Sequence, residues 1–305
     1  MKCTGSNNNG SLGDGTTVSK KVFTNVAPAV AFANSARDSY CAAGVSKTGK
    51  LYGWSDCTSS SKTPVALDTA ETYQTLLGVA DHACALTTSN DLKCWGSDNG
   101  YGVLGGSNRT TPTLWDSGTK YKTFVVADSF TCGITTADKL KCWGKGSTGR
   151  LGNGTTGNAS SAVAVDAANN YAKVSAGVNS VCGITSTGDL KCWGYVGNYL
   201  SNATYTTPQL VNAGTSYQDV AVSYDSIMAI TAAGQIHYWP MGRFDQSLQV
   251  MAAGKTFKSI KSYYSGNTFC AMTTDDHVYC STKGDYWTAN QVNKPKAMPF
   301  ARWLL

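Results

Sequence analysis

Short β-prone segments alternate with Gly-, Asn- and Thr-rich turns along the whole chain. The clearest example runs from Val181 to Trp193, where two largely apolar runs flank a short polar turn. Such runs, separated by a few turn residues, predict paired antiparallel strands. Counting inward from Cys182 and Cys192 predicts a β-hairpin with residues 186–188 in its turn.

The cysteine spacing of this hairpin recurs along the chain. Four pairs have nine residues between their members: Cys84/Cys94, Cys132/Cys142, Cys182/Cys192 and Cys270/Cys280. Two further copies have other residues at these positions, Met228/Tyr238 and Ala43/Gly53. A packed apolar pair can replace a structural crosslink but not a metal ligand or a redox couple. We therefore expect cross-strand disulfides that stabilise the fold.

A further β-prone run, opening on an aromatic residue, precedes most hairpins. These aromatic residues recur every 40 to 50 positions, at Tyr73, Tyr121, Tyr171, Tyr217, Phe257 and Phe300. A looser copy spans Ala29–Ala36, and Gly/Asn-rich loops at 96–106, 144–154 and 194–200 lead from hairpins into a fourth strand. Four short strands per repeat of this length are typical of a β-propeller blade.

Composition narrows the function classes. Charged residues make up 14% of the 305-residue chain, against about 25% in soluble domains. The net charge of +6 is dispersed, with no basic run longer than Lys20-Lys21, which disfavours nucleic acid as a partner. Residues 1–9 lack the apolar core of a signal peptide, and no run reaches the length of a membrane span.

The eleven cysteines favour an oxidising compartment, so we expect an extracellular or cell-surface protein. Cys41 and Cys57 flank the hairpin that lacks the usual pair, and we expect them to bond to each other. These five pairs leave Cys3, which we expect to be unpaired or bonded to another molecule.

Three motifs carry a family resemblance: Cys-Ala-Leu-Thr-Thr at 84–88, Leu-Lys-Cys-Trp-Gly at 92–96, 140–144 and 190–194, and Gly-Arg-Leu-Gly-Asn-Gly at 149–154. They resemble the repeat of the regulator of chromosome condensation family, and the disulfides resemble its secreted branch. The resemblance covers nearly the whole chain and implies one seven-bladed, all-β propeller domain over 1–305. Because members of this family have unrelated functions, it implies no activity.

The two ends of the chain match different strands of the repeat. Met1–Ser6 aligns with Leu140–Lys145, a third strand, and Phe300–Leu305 matches a first strand. We therefore expect a seventh blade split between the termini, with its second strand missing. Sequence beyond these ends or a neighbouring subunit would supply that strand.

Aromatic and glycine motifs each have two interpretations. Trp95, Trp143 and Trp193 fit a sugar-stacking rim, but packing between blades is the favoured interpretation. The glycines of the post-hairpin loops fit a ligand cradle, but turns that need positive φ explain them better.

No arrangement of residues indicates catalysis. His82, His237 and His277 lie at different places in their repeats, without Asp or Cys at metal-ligand spacing. No Ser/His/Asp, Cys/His or paired-carboxylate arrangement stands out. We therefore expect no enzyme activity, no metal and no cofactor.

Five Asn-x-Ser/Thr sequons are candidate glycosylation sites, at Asn9, Asn108, Asn153, Asn158 and Asn202. Four of them fall in or just after the post-hairpin loops, where a glycan can be accommodated.

The leading functional hypothesis is a secreted or surface-displayed scaffold that binds another protein, or a neighbouring subunit, through loops on one face. The alternative is a lectin-like propeller that binds glycans through loop aromatics, the candidates being Tyr101, Tyr195, Tyr199 and Tyr205. Nucleotide exchange on a small GTPase is disfavoured, because reducing cytosol would not maintain the disulfides.

Overall fold

The computed structural model describes residues 1–26, 30–37, 41–55, 61–79, 82–198, 201–224, 226–239, 249–251, 254–262 and 269–280. Strands make up almost all of the regular structure, and the one helix in these ranges is a single 3-10 turn at Ser147–Gly149. Over the same ranges, no helix has the length and hydrophobicity that a membrane crossing requires.

The chain divides into two compact units. Met1–Thr131 belong to the first, and the described residues from Cys132 onward belong to the second. The expectation of one domain over 1–305 stays a prediction.

Three antiparallel sheets lie in the first unit, and their strands follow one another in chain order. Sheet 1 contains β1 (Lys2–Gly5) and β2 (Lys20–Asn25). Sheet 2 contains β3 (Phe32–Arg37), β4 (Cys41–Ser46), β5 (Leu51–Ser55) and β6 (Ser61–Asp68). Sheet 3 contains β7 (Tyr73–Val79), β8 (His82–Thr87), β9 (Leu92–Gly96) and β10 (Arg109–Leu114).

The remaining sheets repeat this arrangement. Sheet 4, in which the boundary between the units falls, contains β11 (Tyr121–Ala127), β12 (Phe130–Thr135), β13 (Leu140–Gly144) and β14 (Ala159–Val165). Sheet 5 contains β15 (Tyr171–Ala176), β16 (Ser180–Thr185), β17 (Leu190–Asn198) and β18 (Ser201–Leu210). Sheet 6 contains β19 (Tyr217–Val222), β20 (Ile227–Thr231), β21 (Ile236–Trp239) and β22 (Gln249–Met251). Sheet 7 contains β23 (Phe257–Ser262), β24 (Phe269–Thr273) and β25 (Val278–Cys280).

The central hairpins have the register that the cysteine spacing predicts. Cys182 lies opposite Cys192, and the two form a disulfide with a Cα–Cα distance of 4.1 Å. This distance matches a non-hydrogen-bonded pair of an antiparallel ladder. The structure contains three further bonds of the same spacing, Cys84–Cys94, Cys132–Cys142 and Cys270–Cys280. The cysteine-free copies keep the register, with Ala43 opposite Gly53 and Met228 opposite Tyr238.

One backbone hydrogen bond joins each hairpin to the next sheet. The aromatic residue that opens a first strand donates its N–H to the carbonyl of the preceding hairpin turn, at a residue with positive φ. The five pairs have N···O distances of 2.8–2.9 Å: Tyr73 to Gly49, Tyr121 to Asn90, Tyr171 to Asp138, Tyr217 to Gly188 and Phe257 to Gly234. Each of sheets 3 to 7 is thus attached through the backbone to the sheet before it.

Tryptophans of the third strands fill the space between sheets. Trp54, Trp95, Trp143, Trp193 and Trp239 are all buried. Trp95, for example, packs in one cluster with Val45 and Leu51 of sheet 2. Packing between sheets is therefore confirmed for Trp95, and burial of Trp143 and Trp193 excludes a solvent-facing sugar rim formed by these rings.

Two segment assignments are corrected. The first strand of sheet 2 opens at Phe32 rather than Ala29, and Phe32 lies opposite Ser46 as Tyr73 lies opposite Thr87. Residues 194–198, expected in a loop, continue β17 because they pair with β18.

Sheet 1 corresponds to the third and fourth strands of a blade. In sheet 1, Lys2 lies opposite Asn25 and Gly5 lies opposite Lys20, so the register shifts by two residues between these pairs. Sheet 4 has the same shift between its third and fourth strands, from Lys141/Ala164 to Gly144/Ala159. Phe300–Leu305, the expected first strand, and Cys57, the expected partner of Cys41, lie outside the described residues. Both expectations stay predictions.

Removing one crosslink tests its role. Replacing Cys182 and Cys192 together by alanine is expected to lower the free energy of unfolding by about 3 kcal/mol, the chain-entropy value for a loop of this size. Urea unfolding without reductant measures this difference in the free energy of unfolding. In strong reductant the free energies of unfolding of the two proteins should become similar. Equal stability of the two oxidised proteins would contradict a stabilising disulfide.

Candidate interaction surface

Sheet 5 has a long hairpin at one end that sheet 4 lacks. β17 and β18 have 9 and 10 residues, whereas β13 and β14 have 5 and 7. Pairing continues from Gly194 opposite Tyr205 to Asn198 opposite Ser201. We call residues 195–205 the hairpin arm.

A loop of the preceding sheet holds the base of the arm. The Gly154 N–H donates to the Thr206 carbonyl at 2.8 Å. Gly149 has a φ of 71°, and a Cβ there would lie 2.9 Å from the Tyr205 carbonyl oxygen. Glycine therefore serves both the turn and the close approach to the arm.

Arg150, in the same loop, is buried with an exposed fraction of 3%. Its guanidinium donates to the carbonyls of Ser147 and Val178 and to Asn179 Oδ1, each at 2.8 Å. Asn179 in turn accepts the N–H of Tyr195 through its carbonyl at 2.9 Å. The arginine thus fixes the turn against which the arm begins.

The indole of Trp193 completes this attachment. Its Nε1–H donates to the Arg150 carbonyl at 3.0 Å. The first unit contains an equivalent bond, from Trp54 Nε1–H to the Ser11 carbonyl at 3.0 Å. The same indole–loop bond thus occurs in sheet 2, which has no such arm among its described residues.

Two of the four candidate tyrosines, Tyr195 and Tyr205, lie in the described part of the arm. Tyr195 lies opposite Thr204, and Tyr205 lies opposite Gly194. Since side chains alternate between the faces of a ladder, Tyr195 and Tyr205 lie on opposite faces of the arm. Tyr101 is in the first unit, and Tyr199 lies outside the described residues.

The sequons occupy different environments. Asn9, Asn108 and Asn158 are exposed. The side-chain oxygens of Asn108 and Asn158 accept the N–H of Asp98 and Gly146, respectively. Asn153 Oδ1 accepts from Thr155, and Asn202 lies in β18. Glycosylation of all five stays a prediction.

A polar triad, which the sequence analysis missed, spans neighbouring sheets. In sheet 5, the Tyr171 hydroxyl and Lys191 Nζ both donate to Asp166 Oδ2, at 2.8 and 2.7 Å. An equivalent triad contains Asp68, Tyr73 and Lys93, with distances of 2.6 and 2.8 Å. The signal in the sequence is an aspartate five residues before the aromatic residue and 25 before a lysine.

The triads shift the pKa values of their aspartate and tyrosine side chains. Burial alone would raise the pKa of Asp68, but hydrogen bonds from Lys93 and Tyr73 outweigh it and hold the pKa at about 2. Burial and the bond to Asp68 raise the pKa of Tyr73. These shifts keep the carboxylate charged and the phenol neutral, as a structural contact requires.

Comparison with known proteins identifies the repeat. Residues 78–103 match the family model "Regulator of chromosome condensation (RCC1) repeat". Human WBSCR16 superposes with a TM-score of 0.74 at 13% identity, over 90% of this chain and 86% of that one. The chain has a β-propeller fold and contains an RCC1-type repeat at 78–103. Its sheets are the propeller blades, and the seven sheets of the described residues agree with the seven blades expected.

Two other propellers have the same fold. Prp20p of Saccharomyces cerevisiae superposes with a TM-score of 0.69 at 12% identity, covering 92% of this chain and 80% of that one. The ectodomain of the Arabidopsis thaliana receptor kinase ACR4 gives a TM-score of 0.54 at 17% identity, with coverages of 83% and 80%. A search of curated protein sequences finds no match.

A buried carboxylate organises one loop of this propeller. Asp98, 2% exposed, accepts the N–H groups of Gly102, Leu104 and Gly106. Among the described residues, no group of three or more His, Cys, Asp or Glu side chains could hold a metal. The loop carboxylate is therefore a backbone cap rather than a ligand set.

Loss of the guanidinium tests how the arm is held. Arg150→Ala leaves the Val178 carbonyl and the Asn179 side chain without their donor. We expect this to lower the free energy of unfolding by about 3 kcal/mol. Hydrogen exchange at Tyr195 should also accelerate. Arg109→Ala, which removes a half-buried arginine above Trp115, is the control. Unchanged exchange in Arg150→Ala would show that other contacts hold the arm.

His82 predicts a pH effect on stability. It is 2% exposed and contacts Thr131 Oγ1 through Nε2 at 2.8 Å. Burial, partly opposed by the Asp98 charge, lowers its pKa to about 4. Because the unfolded chain binds the proton more readily, protonation of His82 favours unfolding. The free energy of unfolding is therefore highest above pH 6.5 and decreases by about 3 kcal/mol as the pH falls to about 4.

The variant His82→Gln keeps an amide near Thr131 and removes the titration. Denaturant unfolding at pH 7 and pH 4 should give a smaller loss of stability in the variant than in the wild type. The carboxylates and the other histidines are the same in both proteins. Equal losses would assign the pH dependence to those groups.

Proposed function

We propose that this propeller is a non-catalytic scaffold, secreted or displayed at the cell surface, that binds a partner protein or assembles with neighbouring subunits. Binding takes place through the hairpin arm and the loops on its face of sheet 5. The observation that carries the proposal is the arm, which extends pairing beyond the four-stranded blade and is held by Arg150 and Gly154.

The arm is not needed to complete a blade. In sheet 4 the same connection is a loop, yet its four strands form an equivalent sheet. A projection that is held at its base loses less conformational entropy on binding than a free loop does. Loops and projections on a rigid scaffold are the usual location of recognition residues.

Two further observations support the location and the partner class. The disulfides favour an oxidising compartment, and ACR4 uses this fold in a receptor ectodomain. The Prp20p study concerns its binding to Gsp1p and histones, so this fold supports protein binding there. A glycan-stacking function has weaker support, since Tyr195 and Tyr205 lie on opposite faces of the arm.

Site-specific photo-crosslinking tests the proposal. A photoreactive amino acid at exposed Thr204, on the arm, is expected to crosslink a protein from native extracellular or surface material. Excess unlabelled wild type should compete, and a variant whose arm is replaced by residues 145–157 should not. The matched control carries the probe at exposed Thr187, in the turn at the opposite end of sheet 5.

Equal crosslinking at Thr187 and Thr204 would contradict binding through the arm. Strong saccharide binding on a glycan array, lost when the arm is replaced, would favour the lectin-like alternative instead.

A further inference from the structure

Three outer strands carry proline at one shared register. On each outer strand, one residue lies opposite the cysteine position of the third strand: Val65, Thr113 or Gln209. The proline is the residue directly before it. The prolines are Pro64 in β6, Pro112 in β10 and Pro208 in β18.

The nitrogen at this register faces away from the sheet. The Trp115 N–H donates to the Leu92 carbonyl at 2.8 Å, so Trp115 and, two residues earlier, Thr113 face β9. By alternation, the nitrogen of Pro112 faces the open edge of the sheet. A proline there removes an outward donor, which is a common way to prevent edge-to-edge pairing.

The outer strand of sheet 1 lacks this proline, as does β14 of sheet 4, where Ala162 lies at the same register. Cys3 lies opposite Thr24, and the Val26 N–H donates to the Met1 carbonyl at 3.1 Å. Phe23 therefore occupies the proline register, with its N–H facing outward. Among the described residues, β2 pairs only with β1.

This strand and the segment just before it have the most exposed large apolar side chains of the described residues. Val22 is 71% exposed, Phe23 70% and Val18 61%. Exposed apolar residues next to unsatisfied backbone groups are typical of an edge that accepts another strand. We call residues 18–23 the β2 edge.

Positive charge accompanies this apolar strand. Lys20 and Lys21 lie within it, and Lys2 lies on β1 opposite Asn25. Asp14 compensates only Lys20, at 3.8 Å. Two copies pairing through this edge would bring both sets of lysines together, on chains that each carry a net charge of +6. Charge therefore disfavours self-pairing and favours an acidic strand.

We propose that the β2 edge binds an extended segment of a partner protein in which acidic and apolar residues alternate. The segment adds a strand beside β2, so that the Phe23 N–H gains an acceptor. Its apolar side chains cover Val22 or Phe23, and its carboxylates lie near Lys20 and Lys21. This surface belongs to sheet 1 and does not depend on the hairpin arm.

A labelled peptide of alternating Glu and Val residues is the probe, with a Lys/Val peptide as its charge-reversed counterpart. Fluorescence anisotropy with the full chain should show binding of the Glu/Val peptide only. Phe23→Pro places a proline at the register where β6, β10 and β18 have one. It should weaken binding about tenfold, because one backbone hydrogen bond and one apolar contact with the peptide are lost. Lys21→Glu should also weaken binding and shift the preference toward the Lys/Val peptide.

Ala162→Pro is the matched control, because Ala162 occupies the same register on β14, where Cys142 lies opposite Val163. It should leave binding unchanged, and the melting temperatures should show that both proline variants are folded. The proposal is overturned if the Glu/Val peptide does not bind, if Phe23→Pro binds it normally, or if Ala162→Pro loses binding equally. Sedimentation that shows wild-type dimers, abolished by Phe23→Pro, would identify a second copy as the occupant instead.

Discussion

The backbone hydrogen bond between a first-strand aromatic residue and the preceding hairpin turn determines how each blade attaches to the next. It recurs from Tyr73 to Phe257 with nearly constant length. The bond places the aromatic ring against the second strand of its own sheet. Where that strand carries Gly183, an added Cβ would lie 2.7 Å from the Tyr171 ring. The small residue and the aromatic residue therefore form one packing unit.

Side-chain chemistry around this attachment varies more than the attachment itself. In sheet 5, Tyr171 bonds to an aspartate that also accepts from a lysine. In sheet 6, Tyr217 instead contacts His237 Nδ1 at 2.8 Å and accepts from Asn212. Sheet 6 also replaces the cysteine pair by Met228 and Tyr238. Both replacements are neutral and maintain contact, which shows that packing continuity matters more than charge or crosslinking at these positions.

The sequence predicts the hairpins well because their information is local. The cysteine spacing and the short turn determine the register around Cys182 and Cys192, and the structure has that register. The repeat length and the motifs predicted the propeller for similar reasons. Prediction was wrong where pairing depends on a partner strand: residues 194–198 are rich in Gly and Asn, yet they are strand because β18 lies beside them.

The polar triads were missed for a different reason. Their residues are five and twenty positions apart, and each type is common at turns or on exposed strands. Only the recurrence of all three, in register with the aromatic residue, distinguishes Asp166 and Lys191 from ordinary surface charges. The candidate tyrosines show the opposite problem, since nearness in sequence placed Tyr195 and Tyr205 together while strand alternation separates them.

A repeat fold makes departures from the repeat informative. Blades that share one attachment, one buried tryptophan position and one hairpin register need little else to fold. The hairpin arm adds strand pairing that sheet 4 lacks, and the β2 edge combines exposed Val22 and Phe23 with the absence of the proline found in β6, β10 and β18. Neither departure is needed to complete its own blade: the arm extends pairing past the four-stranded part of sheet 5, and the β2 edge leaves Phe23 in solvent. An exposed phenylalanine on an open strand edge carries an aggregation risk. Contact with another molecule at that edge would remove the risk, which is the physical reason to look for recognition at these departures rather than at the shared features of the blades.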